Sequence, residues 1–158
     1  FDFAEIGTKQ IPLTPCSGES PSVEGNIINI DSTQNLSPET ATKITLPAGT
    51  YTLHVIGQAD GGNYDAWTRT ELIDGCDSNG EHCTKGWEHK YFYQLGNTDS
   101  VKVDRTDRYS TASAALANPP ADVSFTLTED TEVQFYVVDG GDPTNNQGGV
   151  SLQVISQS

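Results

Sequence analysis

Short apolar runs with a period of two recur along this 158-residue chain. Tyr51, Leu53 and Val55 alternate with Thr52, His54 and Ile56, and Tyr91, Tyr93 and Leu95 alternate with Phe92 and Gln94. Val123, Phe125 and Leu127 repeat the pattern, as do Val133, Phe135 and Val137, then Val150, Leu152 and Val154. Alternation of this kind predicts strands with at least one buried face. Further strands are expected over 25–31, 43–46 and 66–73, the last with Trp67 and Leu72 as core candidates, and a short one around Val101 and Val103. No long segment carries a 3.6-residue period. Ala112, Ala114, Ala115 and Ala117 suggest a short helical turn, which Pro119 and Pro120 stop. Eight or so short strands separated by turns predict an all-β fold, a small antiparallel β-sandwich. No repeat of 20 to 50 residues stands out, which argues against a propeller or solenoid.

The first 22 residues read differently. Pro12, Pro15 and Pro21 punctuate a Ser- and Gly-containing stretch without periodicity, so residues 1–22 are expected to form a linker or arm and 23–158 the domain. The chain starts at Phe1 and contains no Met, and so reads as a mature product or an excised module.

Charge narrows the choice of partner. A formal net charge of -14 disfavours nucleic acid and anionic membrane surfaces, and it attracts divalent cations. No run of 18 apolar residues exists to span a membrane. Cys76 and Cys83 bracket a turn-rich segment, Asp-Ser-Asn-Gly-Glu-His, where a local disulfide would staple a loop in an oxidising compartment. Cys16 is then left over. A zinc site from Cys76, His82, Cys83 and His89 lacks the usual ligand spacings. A secreted or cell-surface location follows from this reading.

The richest chemistry lies at 139–149, Asp-Gly-Gly-Asp-Pro-Thr-Asn-Asn-Gln-Gly-Gly, between two apolar strands. Asp139, Asp142, Asn145 and Asn146 crowd side-chain oxygens together, while Pro143 stiffens the loop and its glycines let carbonyls turn inward. Calcium takes six to eight such oxygens. The same residue types also build ordinary surface turns. The spacing is not that of an EF-hand.

Residues 136–154, from Tyr136 through Asp139 and Asn145-Asn146 to Val154, resemble the signature of the calcium-dependent, galactose-binding bacterial lectins of the PA-IL (LecA) type. Pro47-Ala-Gly-Thr-Tyr-Thr-Leu and Tyr91-Phe-Tyr-Gln-Leu-Gly-Asn are similar to two further strands of that family, and the match runs from Val23 to the C-terminus. The resemblance implies a small β-sandwich of jelly-roll or galactose-binding-like form, holding one calcium at a loop end. It implies side-chain ligation by Asp139, Asn145 and Asn146, and backbone carbonyls from Asp142 and Tyr64. The ion would then bind two sugar hydroxyls directly. Asn79 falls where the family has an amide that contacts the sugar, with His82 as a neighbouring candidate. The family's sugar-contacting histidine falls near Cys76, and the loop from Asp139 to Asn145 is one residue shorter than expected.

These observations point to a non-catalytic carbohydrate-binding domain, a galactose-type lectin or a module of a larger secreted protein. Calcium is its cofactor and a galactoside or related glycan its partner, together with other domains or further copies of the chain. Tyr64, Trp87, Asp139 and Asn145 would contact the sugar, and aromatic rings would face the pyranose. Two other readings stand beside it. In one, calcium serves stability alone. In the other, a carboxylate pair hydrolyses a polysaccharide, although no Gly-x-Ser-x-Gly, His-Glu-x-x-His or phosphate loop is present.

Overall fold

The computed structural model describes residues 26–71, 75–139 and 143–157, without the side chains of 105 and 106. The arm expected over 1–22, together with Cys16, Leu72 and Asp142, lies outside the described residues. Among those described, nine strands pair antiparallel throughout: β1 (Asn26–Asp31), β2 (Thr42–Leu46), β3 (Gly49–Ile56), β4 (Trp67–Arg69), β5 (Trp87–Leu95), β6 (Val101–Tyr109), β7 (Val123–Leu127), β8 (Thr131–Tyr136) and β9 (Asn146–Ser156). One layer runs β1-β9-β3-β7 and the other β2-β8-β5-β6. This interleaved order is that of a jelly roll. Short β4 bridges the layers, pairing β5 on one side and β9 on the other.

The period-two residues account for the core. Leu53, Val133, Phe135, Val150, Leu152 and Val154 are all buried, and they join residues of both layers in one cluster with Tyr91, Tyr93 and Phe125. Tyr93 of one layer stacks on Phe125 of the other, with ring centroids 5.6 Å apart. Each fully buried aliphatic or aromatic side chain stabilises the fold by roughly 1.5–3 kcal/mol relative to exposure. Trp67 is fully buried in the same cluster, as the sequence suggests.

Three elements differ from expectation. The strand expected over 66–73 is only Trp67–Arg69, because Thr70 leaves the ladder to donate from its N–H and its Oγ1 to the Asn145 carbonyl, both at 2.6 Å. β6 continues to Tyr109 although its sequence is mostly polar. Pairing with β5 supplies its backbone partners, so the edge strand needs few apolar residues. The alanine-rich turn forms a helix, α1 (Ala112–Leu116), capped where Thr111 Oγ1 accepts from Ala114 N at 3.0 Å. Cys76 and Cys83 are disulfide-bonded across a sequence separation of 7, so neither thiol is a zinc ligand.

Candidate functional site

On β9, neighbouring residues point to opposite faces. Asn146, Val150, Leu152 and Val154 turn toward the interior, whereas Gln147 and Ser151 lie on the outer side, beneath the 57–66 loop and beside Trp87. The residues singled out in the sequence therefore fall into separate groups.

The first group is a corner at the end of the core. β8 runs out through Val137, whose N–H donates to Asn35 O at 2.9 Å, and reaches Asp139. A single 3-10 turn, Pro143–Asn145, leads into β9, where Asn146 pairs with Arg69 of β4. Arg69 Nε donates to Asp139 Oδ1 at 3.2 Å and its Nη1 to Glu88 Oε2 at 3.3 Å, while Arg108 Nη2 reaches the same Glu88 oxygen at 3.3 Å. The Arg69 guanidinium lies 5.2 Å from the Trp67 ring centroid. This chain of charges is largely removed from water: the side chains of Asp139 and Glu88 are 2% and 3% exposed.

The two asparagines complete the corner. Asn146 Nδ2 donates to Ser32 O at 2.7 Å, and only an N–H can satisfy that carbonyl, which fixes the amide's orientation. Asn145 Nδ2 faces Glu71 Oε2 at 3.5 Å. Asn145 Oδ1 and Asn146 Oδ1 are both buried and accept no hydrogen bond among the described residues. Buried acceptors without a donor are costly, and a cation or an ordered water would satisfy them. Among the described residues no cluster of three or more His, Cys, Asp or Glu is arranged for a metal. The buried oxygens here belong to one carboxylate and two amides, chemical types that a hard cation takes as ligands.

Tyr64 belongs to a second group. Its N–H donates to Ser151 Oγ at 3.1 Å and its ring lies over Gly149. Burial raises the pKa of its phenol, and the charge of Asp31 together with a hydrogen bond to it raises it further. The 57–66 loop that carries Tyr64 is pressed onto β9. Gly148 has φ 85°, and a Cβ there would stand 2.2 Å from Ala66 O. Tyr64 and Trp87 line an outward cleft of about 340 Å³ with Gln58, Asn63, Asp65, Ala66, Ala112, Gln147 and Gly148. Trp87 is buried rather than presented as an open platform. Its Nε1 donates to Gly80 O at 3.2 Å, and Gly80, at φ 78°, lies so close that a Cβ would sit 2.9 Å from the ring. Below the cleft, His89 Nε2 donates to Asp65 O at 2.7 Å, and burial lowers the pKa of that imidazole.

Asn79 and His82 form a third group on the disulfide loop, both exposed. Asp77 organises it: its Oδ1 accepts from the N–H groups of Asn79 and Glu81, each at 2.9 Å, and its Oδ2 accepts from His82 Nδ1 at 2.7 Å. That hydrogen bond raises the His82 pKa and is the largest cause lowering that of Asp77.

Arg69, Glu88, Gln58 and Gln147 were not singled out from sequence. A signal existed for two of them: a lone Arg just after a core Trp, and a lone Glu opening an apolar strand, are charges that burial must pair.

No protein-family model matches the chain, and no curated protein does. Among solved structures it is similar to a GH115 4-O-methyl-α-glucuronidase with specificity for decorated arabinogalactans, at 7% identity and TM-score 0.34, over 94% of this chain and 19% of that enzyme. At that distance the likeness carries no inference about fold or activity.

Proposed function

We propose that this is a non-catalytic, calcium-dependent carbohydrate-binding domain of a secreted or cell-surface protein, akin to the PA-IL type lectins. The observation that carries the reading is the pair of buried, undonated oxygens, Asn145 Oδ1 and Asn146 Oδ1, at the corner that also holds the Asp139 carboxylate. These residues supply the side-chain ligands of the ion. Calcium, when bound, offers open coordination positions to vicinal sugar hydroxyls. Arg69 already shares Asp139 and Arg108 shares Glu88, so these four charges cancel and an ion at the corner competes with Arg69 for the Asp139 carboxylate. The disulfide and the lack, among the described residues, of any helix long and apolar enough to cross a membrane are compatible with secretion.

The depth of the corner favours a second reading, in which the ion serves stability alone: Asn146 is only 8% exposed. One experiment addresses both. Calcium titration by calorimetry should show one site, lost in Asp139→Ala and Asn146→Ala, and glycan-array binding should vanish with chelator and return with calcium. Calcium binding and a raised Tm without any glycan signal would leave the structural role alone. Variants that bind calcium as the parent does would remove the corner from consideration.

A further inference from the structure

We propose that the outward cleft between Tyr64 and Trp87 is a second saccharide seat, one that reads a neutral sugar ring without a metal ion. The proposal rests on the saccharide-binding reading above for its ligand class, but not on the calcium corner. Asn146 and Gln147 are consecutive on β9, and their backbone partners are Arg69 and Thr68. Arg69 meets Asp139, whereas Thr68 Oγ1 donates to Gly86 O at 3.0 Å. The strand itself thus separates the corner from the cleft. A sugar held by an ion among Asp139, Asn145 and Asn146 would not fill the cleft.

The lining specifies the ligand. The Tyr64 ring, with the small exposed part of the largely buried Trp87, gives apolar wall for the CH groups of a pyranose. Gln58, Asn63 and Gln147 carry amides, each with donors and an acceptor, the pairing that a sugar hydroxyl can meet in both senses. Asp65 adds a carboxylate, and among the described residues no Lys or Arg lines the cleft, so an anionic ligand meets repulsion in a chain of net charge -14. The volume of about 340 Å³ lies at the lower end of small-molecule pockets, which run about 300–1,000 Å³, and suits a terminal residue rather than a chain. The walls are held in place. Asp65 Oδ1 accepts from Gln58 N at 2.8 Å, Gln58 Nε2 donates to Asn63 O at 3.1 Å, and the disulfide loop pins Trp87 through Gly80.

The test uses the full chain in chelator. Saturation-transfer NMR with methyl β-galactoside, methyl α-glucoside and methyl β-xyloside as probes, and methyl β-glucuronide as the charged comparator, reads binding directly. At least one neutral glycoside should receive saturation, and the glucuronide none. Gln147→Ala should weaken binding about tenfold, the effect of losing one well-formed polar contact. Ala112→Leu, which pushes a larger side chain into the cleft, should abolish it, with circular dichroism and Tm confirming the fold. Adding calcium to the parent chain should leave this transfer unchanged, which separates this seat from the corner. Absence of transfer from every neutral glycoside, preferred transfer to the glucuronide, or full transfer in both cleft variants would each overturn the proposal. Transfer that appears only when calcium is added would assign the sugar to the corner instead.

Discussion

The corner and the cleft share β9 yet differ in nearly every physical respect. The corner is closed, charged and shielded from water, and its oxygens belong to Asp139, Asn145 and Asn146. The cleft is open, walled by the Tyr64 ring and amides, and carries no cationic side chain among the described residues. Alternation along one strand produces the difference: one residue faces the interior, where a polar group must be paired, and the next faces outward, where it is free to meet a ligand. The corner is therefore expected to govern stability and ion binding, and the cleft to act with little effect on the fold.

Arg69→Met tests that division most severely. It removes the guanidinium from both Asp139 and Glu88, and breaking a buried ion pair from one side costs about 3–5 kcal/mol. Urea denaturation in chelator should show that loss, while an ion at about 100 times its Kd should return roughly 2.7 kcal/mol. Equal stability of variant and parent would mean that the corner's charges are not coupled to folding.

Breaking the disulfide should act on the other region. Cys76→Ser with Cys83→Ser frees a loop of sequence separation 7 and should cost about 2–3 kcal/mol on loop-entropy grounds. Because Gly80 in that loop holds Trp87, the cleft should lose glycoside affinity while calorimetry finds calcium binding unchanged. Weakened calcium binding with an intact cleft would reverse the assignment of the loop.

The smallest effect concerns pH. Asp77 raises the His82 pKa, so that contribution is fully present below the imidazole's ordinary 6.5 and is lost as pH rises through the higher folded value. The pairing lowers the Asp77 pKa, so its contribution is present above 3.8 and is lost as pH falls through the lower folded value. The disulfide loop should be tightest between those limits. His82 is exposed and Asp77 half-buried, so NMR titration of His82 should shift while Tm hardly moves. An imidazole titrating at its ordinary value would show that the hydrogen bond does not persist in solution.

Much of the architecture was legible before any coordinates. Period-two runs located the long strands because alternation is enforced residue by residue wherever one face is buried. Cys76 and Cys83 were close enough in sequence for their bond to be read locally. The loop at 139–149 announced its oxygens by composition. Other features depended on which strands became neighbours. Arg69 meets Asp139 across 70 residues, a contact that no local pattern encodes. The ring and N–H of Tyr64 pack on Gly149 and Ser151 on the outer side of β9, and Trp87 is covered by Gly80 rather than left open. Sequence thus determined the strands, the staple and the inventory of polar groups. Only strand order and register, set by packing two layers around one core, decided which of those groups share a site.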